Sequence, residues 1–386
     1  MAVPFIRRVV DHNSTLSVDD VLLLLDQDAF SETFVPRSKV LQYLTTEPQL
    51  PEASEPIVDP DPYALVHGNV LGRLRRIAHS SVQCVVTSSP YWGMRIYKDS
   101  VTVTWADGEE CVYGHEQTPD GFIRHTIQIL HELGSVLTGN GSIWWNLGDT
   151  YNTRTQIRSN AAETLRAMQG KDTRSWGDYE CRRYSAGHVY LKDGEQAMIP
   201  SQVAERASRI GYHVKSMISW AKISSTPEPQ NSRVSRAVEY VLHLSKTRTP
   251  KFDKSGYLTT KAALGGRNHV ESEKLSDVWV MQTSSGRGGH GAQFPTALPG
   301  RCIVLSTDPG DVVLDPFVGS GSSGVAALKL KRRFIGVDVS QTYLKTAEKV
   351  LNSIPDEALD EVPTVESAPS EDPTEEPLML PMTDIA

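Results

Sequence analysis

Between Asp311 and Tyr343 the chain reads DVVLDPFVGSGSSGVAALKLKRRFIGVDVSQTY, an order that few folds accommodate. Val312 to Leu314 is a short, β-branched apolar run, the pattern of a strand buried on both faces. It stops at Asp315-Pro316. Phe317 to Gly324 then forms a loop of small residues, and Val325 to Leu330 continues as a helix. Phe334 to Val337 is a second buried strand, closed by Asp338. Strand, glycine turn, helix and strand place the chain in the α/β class, with parallel strands covered by helices.

Glycines in such a loop let the backbone approach a bound group, and the helix start presents unpaired N–H groups. Asp338 lies 17 residues past Gly321. A carboxylate there can accept both hydroxyls of a ribose. The unit reads as a nucleoside-cofactor site, for a dinucleotide or for S-adenosylmethionine; a plain strand-to-helix turn is the alternative. A nicotinamide dehydrogenase would carry Gly-x-Gly-x-x-Gly at the chain's first strand, and none stands there.

A chain of 386 residues holds one large α/β domain with additions, or two domains. Cys84, Cys111, Cys181 and Cys302 are scattered, without CxxC pairs or zinc-ligand spacing, so they are expected as free thiols with no metal. Val21 to Leu25 is far too short to span a bilayer, and no signal peptide follows Arg7-Arg8, so a cytoplasmic protein is expected. The net charge of −8 hides an uneven distribution. Residues 1–60 hold 10 acidic and 4 basic residues, and residues 351–386 hold 10 acidic and none basic. That leaves 27 acidic and 35 basic residues in 61–350, a balance compatible with a polyanionic partner.

Residues 1–60 read as an appendage and linker, with short helices after Ser17 and over Ser38 to Leu44 and a run of prolines. The main domain follows over 61–350. A helix is expected over Leu71 to Ile77. A buried strand over Val82 to Val86 ends on Thr87-Ser88-Ser89-Pro90-Tyr91-Trp92-Gly93. Ligands of α/β sheets bind beyond such carboxyl ends. A helix from Thr118 to Leu137, a turn at Gly139-Asn140-Gly141 and a strand over Ser142 to Leu147 come next. Residues 152–195 read as a long insertion. Ile199 to Ile210 (helix), Val214 to Trp220 (strand), Val238 to Ser245 (strand) and Pro295 to Ser306 (helix) complete the approach to Asp311. The tail, 351–386, is acidic and Pro-rich and is expected to be disordered.

Two strand-end motifs now stand together: Thr87-Ser88-Ser89-Pro90-Tyr91-Trp92, then Asp315-Pro316-Phe317-Val318-Gly319-Ser320-Gly321. The pair resembles the amino-group DNA methyltransferases, whose catalytic motif is Ser/Asn/Asp-Pro-Pro-Tyr/Phe and whose cofactor motif is Asp-Pro-Phe-x-Gly-Ser-Gly. Their order, catalytic motif first, resembles the permuted beta group. His67-Gly68-Asn69, Trp144 to Asp149, Glu239 to Lys246 and His290 to Pro295 resemble further family elements in sequence. Departures are Ser89 for the first proline, Asn69 for an acid that meets the cofactor's adenine, and Val238 for a histidine.

The resemblance implies a Rossmann-like S-adenosylmethionine-dependent methyltransferase fold, circularly permuted, with an inserted recognition region near 247–288. It implies S-adenosyl-L-methionine as cofactor, bound by Asp315, Phe317, Gly319, Gly321, Asp338, Asn69 and Phe294. Asp315 is expected near the methionine amino group, a helix cap being the alternative. Ser88, Ser89, Pro90 and Tyr91 are the catalytic candidates. The Ser88 hydroxyl and the Ser89 carbonyl would accept the amine's N–H bonds, and Tyr91 would stack on an extruded base. Ser88 favours cytosine N4 over adenine N6. Arg248, Lys251, Lys254, Lys261, Arg267 and Arg287, with Arg154, Arg158, Arg166, Arg174, Arg182 and Arg183 in the insertion, are candidate DNA contacts. Implied partners are double-stranded DNA and a cognate restriction endonuclease, with the protein a monomer or dimer. Adenine-N6 transfer, transfer to a protein glutamine or RNA, and a non-catalytic regulator are the alternatives.

Overall fold

The computed structural model describes residues 59–93, 99–107, 109–116, 118–152, 191–192, 194–223, 232–260, 275–283 and 294–354. In chain order the strands are β1 (Tyr63–His67), β2 (Val82–Ser88), β3 (Val103–Thr104), β4 (Glu110–Cys111), β5 (Leu137–Leu147), β6 (His213–Lys222), β7 (Val238–Ser245), β8 (Val278–Met281), β9 (Val312–Asp315) and β10 (Arg333–Asp338). The helices are α1 (Val70–Leu74), α2 (Pro119–Val136), α3 (Ile199–Arg209), α4 (Lys254–Thr260), α5 (Ala297–Ser306), α6 (Ser322–Lys329) and α7 (Gln341–Asn352). One eight-stranded sheet runs β1-β10-β9-β2-β5-β7-β6-β8. β1, β10, β9, β2 and β5 are mutually parallel. β7 is antiparallel to both β5 and β6, and β8 is parallel to β6.

The central strands form where apolar runs are continuous, because helices cover both faces. In β2, Val85 joins one core with α1, α2 and α3 residues, while Cys84 and Val86 join the other with residues of α5, α6 and α7. Helix starts follow local chemistry. Thr118 Oγ1 accepts the Gly121 N–H ahead of α2, and Ser340 Oγ accepts the Tyr343 N–H ahead of α7.

This topology places β2 beside β9, although more than two hundred residues separate them in sequence. Parallel pairing then brings Ser88, Asp315 and Asp338 to one sheet edge. The antiparallel direction of β7 brings its first residues, Val238 and Glu239, to that same edge.

Several expectations are corrected in detail. Gly139-Asn140-Gly141 is no turn but part of β5. The β2–β5 register shifts between Val82 and Cys84, and a side chain on Gly141 would meet the Gln83 carbonyl at 2.8 Å. The glycine serves close approach there. α1 stops at Leu74, α5 starts at Ala297, and α6 already starts at Ser322. The edge strands β1 and β8 and the helix α7 were unforeseen. Cys84, Cys111 and Cys302 are buried free thiols. Residues 1–58, 153–190 and 355–386, and with them Cys181, the bulk of the insertion and the acidic tail, lie outside the described residues. Among the described residues no helix is long and apolar enough to cross a membrane.

A buried ionic cluster fastens the β3–β4 hairpin to α2. His125 shares a hydrogen bond with Glu116 Oε1 at 3.0 Å and another with Asp107 Oδ2 at 3.2 Å. Arg124 Nε donates to Asp107 Oδ2 at 2.9 Å, and Glu109 Oε2 lies 3.8 Å from His125 Nε2. The His125 ring stacks on Trp105. Burial opposes protonation of His125, but Asp107 and Glu116 outweigh it and raise its pKa to about 8. A raised histidine pKa stabilises fully below its unfolded value, ~6.5, and that stabilisation disappears as pH rises through about 8. Melting temperatures at about pH 6.5 and about pH 9 are expected to differ more for the native chain than for His125→Gln. Equal shifts would contradict an imidazolium in the cluster.

Candidate active site

One half of the candidate site is built from the glycine loop that follows β9. Gly319 (φ 50°) and Gly321 (φ 93°) take left-handed backbone, which only glycine adopts without strain. Open space lies where a side chain on Gly319 would stand. Asp338 closes β10 and faces this loop: Gly319 N donates to Oδ2 at 2.9 Å and Ser340 N to Oδ1 at 2.8 Å. Burial raises the Asp338 pKa, against those backbone donors.

Asp315 is buried and differently employed. Its Oδ1 accepts from Thr87 Oγ1 at 2.6 Å and from Phe317 N at 3.0 Å, and its Oδ2 accepts from Ser323 Oγ at 2.5 Å. Burial pushes its pKa up to about 6, in spite of these donors. The carboxylate thus holds β2, the loop and the first turn of α6 together. Phe317 stacks on Tyr113 at 5.3 Å and meets Trp145 edge-on at 6.1 Å. Asn69 Oδ1 caps α1 by accepting the Gly72 N–H at 2.8 Å. Phe294 is buried among core residues that include Val318 and Trp144, and 284–293 before it lie outside the described residues.

The second half lies at the end of β2. Ser88 Oγ stands 3.3 Å from Tyr91 Oη and 3.3 Å from Asn146 Nδ2. Tyr91 Oη donates to Glu239 Oε2 at 2.5 Å. Asn146 Nδ2 reaches Tyr91 Oη at 2.7 Å and Glu239 Oε2 at 2.8 Å, and Lys222 Nζ donates to Glu239 Oε1 at 2.9 Å. Ser89 is buried, and its Oγ accepts from Trp145 Nε1 at 3.0 Å. Pro90 packs against Gly114. Trp92 is a core residue whose Nε1 donates to the Glu116 carbonyl at 2.9 Å.

Sequence reasoning missed Asn146, Lys222 and Glu239 as members of this cluster. They lie on three strands, and only sheet order joins them. The available signal was an acid opening the apolar run of β7. Asp149, whose role was open, accepts from Met198 N and Ile199 N at the start of α3, and from Gln196 Nε2. Of the basic DNA candidates, Lys251 pairs with Asp308 and Asp311, and Lys215 Nζ reaches the Arg248 carbonyl. Lys261, Arg267, Arg287 and the six insertion arginines lie outside the described residues. Glu109, Cys111 and His125 bring one ligand atom each within 4.8 Å of one another, but both His125 nitrogens already face carboxylates.

The family model for DNA methylases of the N6/N4 type matches residues 82–349, from the start of β2 into α7. The chain belongs to the N6/N4 DNA methylase family. Type II methyltransferase M.Cfr9I of Citrobacter freundii is 32% identical over 288 residues, 73% of this chain and 85% of its own. Type II methyltransferase M.XycI of Xanthomonas campestris pv. cyanopsidis is 31% identical over 307 residues, 77% and 92% of the two chains. The solved structure of PvuII DNA methyltransferase, described as cytosine-N4-specific, superposes with a TM-score of 0.53 at 19% identity, over 78% of this chain and 91% of that one. The Rossmann-like fold expected from the sequence is thereby shown. The family's cofactor is S-adenosyl-L-methionine. The site suits it: two carboxylates, Asp315 and Asp338, end adjacent strands beside an open glycine loop, and the cofactor carries positive charge.

Gly148 directly follows β5 and lies against Tyr91, and a side chain there would meet Tyr91 Cε2 at 2.6 Å and Cδ2 at 2.7 Å. The ring is anchored by its hydroxyl and cannot retreat cheaply. Gly148→Ala is expected to lower methyl-transfer turnover roughly 100-fold while calorimetric cofactor affinity holds. Unchanged turnover would show that the position of Tyr91 is unimportant.

Proposed function

We propose that this protein transfers a methyl group from S-adenosyl-L-methionine to the exocyclic N4 amine of cytosine in double-stranded DNA, as the modification enzyme of a type II restriction system. A cognate restriction endonuclease is the partner this reading implies. The observation that carries it is the Ser88 hydroxyl, set at the end of β2 one strand from the cofactor loop and within 3.3 Å of both Tyr91 and Asn146.

An exocyclic amine is a weak nucleophile because its lone pair is delocalised into the ring. Acceptors aimed at its N–H bonds favour a tetrahedral nitrogen and release that lone pair. Ser88 Oγ and the Ser89 carbonyl take this role, and Pro90 stiffens the turn. Tyr91 stacks on the extruded base. Asp338 accepts the ribose hydroxyls. Asp315, Phe317, Gly319, Gly321 and Phe294 shape the pocket, and Asn69 lies on its adenine side. The bound cofactor supplies an electrophilic methyl on a positively charged sulfur. The protein's share is orientation and hydrogen bonding.

Serine favours cytosine because the family's serine form accompanies N4 transfer more often than N6 transfer. Adenine N6 is the second reading, since the same acceptors suit either amine. Nucleoside mass spectrometry of duplex DNA methylated by the protein tests the assignment: N4-methylcytosine is expected, and N6-methyladenine would overturn it. Two substitutions test the roles. Ser88→Ala is expected to cut turnover ~100-fold or more with cofactor affinity nearly unchanged. Asp338→Ala is expected to weaken cofactor binding about tenfold or more by calorimetry. Equal loss of both quantities in Ser88→Ala, or native affinity in Asp338→Ala, would contradict these roles.

A further inference from the structure

The methylated nitrogen must lose a proton, and the residues named so far hold N–H bonds without disposing of one. Hydrogen-bond direction answers where it goes. A carboxylate only accepts. The 2.5 Å contact therefore has Tyr91 Oη donating to Glu239 Oε2, and the 2.8 Å contact has Asn146 Nδ2 donating to the same oxygen. Glu239 also settles the Asn146 amide, with its nitrogen toward the cluster. With its own proton committed to Glu239, Tyr91 Oη can only accept from Ser88, at 3.3 Å. The Ser88 hydroxyl then points at Tyr91 and keeps a lone pair for the amine. The two donors of the series, Ser88 and Tyr91, thus both point toward Glu239.

We infer that Glu239 takes up the proton lost by the target amine, relayed through Ser88 and Tyr91. The inference rests on the amine-methylation reading above. As the N–C bond forms, sulfur keeps the S–C electron pair and becomes neutral, and the positive charge passes to nitrogen. The N–H bond breaks toward Ser88 Oγ, the Ser88 proton moves to Tyr91 Oη, and the Tyr91 proton moves to Glu239 Oε2. Glu239 ends neutral and returns the proton to water after product leaves. Lys222 Nζ, 2.9 Å from Oε1, balances the carboxylate in the resting state. Among the described residues Glu239 is the one carboxylate bonded to this cluster. It touches neither amine nor cofactor, so it acts through Tyr91 and Ser88.

Glu239→Gln keeps the shape and the bond from Tyr91 but cannot take a proton. The test is single-turnover methyl transfer against pH for the native protein, Glu239→Gln, Tyr91→Phe and the double variant, with cofactor affinity by calorimetry. Carbon-13 NMR of the Glu239 carboxyl in labelled, cofactor-free protein gives its titration independently of activity. Glu239→Gln is expected to lose ~100-fold or more in rate. It should also lose the acid limb of the profile and keep cofactor affinity within about twofold. Tyr91→Phe should lose a similar factor, and the double variant should lose little more. The NMR titration should fall at the native acid limb. A Glu239→Gln rate within a few-fold of native, a surviving acid limb, or a carboxyl that titrates elsewhere would overturn the relay and leave Glu239 as a positioning group. Should Glu239→Gln fail to fold, a Tyr91→Phe variant of near-native rate overturns it equally. Failure of the underlying reading looks different: the native protein would then leave no methylated nucleoside in DNA.

Discussion

The carboxylate of Asp315 fixes how the two halves of the site face each other. It is buried, and a buried carboxylate is tolerable only when hydrogen bonds replace water. Its donors come from three places: Thr87 on β2, Phe317 in the glycine loop and Ser323 in the first turn of α6. Thr87 is the residue before Ser88. The bond at 2.6 Å therefore ties the end of β2 to the start of the glycine loop. Burial still leaves the pKa raised to about 6, so the carboxylate is held by geometry against a desolvation cost. A free loop would offer the same residues without a fixed relation to Ser88.

Sheet order does the rest. β2 lies between β9, which leads into the glycine loop, and β5, which carries Asn146. The single antiparallel strand β7 runs its beginning to the edge where its neighbours end. That reversal is what sets Glu239 beside Asn146, Tyr91 and Lys222. A parallel strand at this place would present its last residues, Leu244 and Ser245, instead. The cluster is thus a product of topology, and its hydrogen-bond directions follow from one group in it being unable to donate.

Much of this was legible before any coordinates. β2, β9 and β10 appear as continuous apolar runs because helices cover both faces, and each ends on residues that suit a ligand. β1 and β8 were not legible, since they are short edge strands with mixed burial. α7 carries its apolar stripe at Leu344, Ala347 and Leu351 and a serine cap, but only three residues bury on that stripe, and it begins three residues after Asp338. Gly139-Asn140-Gly141 has turn chemistry, but β5 runs through it because Gly141 must lie close to β2. Asp315 could be placed in the site by its motif, whereas its use on Thr87 and Ser323 depends on strand adjacency. Glu239, Asn146 and Lys222 are ordinary residues of three separate strands until the sheet is assembled.

The measurement that bears most directly on this account is the cofactor affinity of Thr87→Val, taken by calorimetry on protein whose melting temperature shows it folded. Valine keeps the shape and removes one donor from Asp315. It leaves intact every residue proposed to touch cofactor or amine. The loss of a hydrogen bond to a buried charged group is worth ~1.5–3 kcal/mol, so affinity is expected to fall about tenfold or more, with turnover falling as well. Native affinity together with native turnover in Thr87→Val would contradict the claim that Asp315 holds the two halves of the site in register.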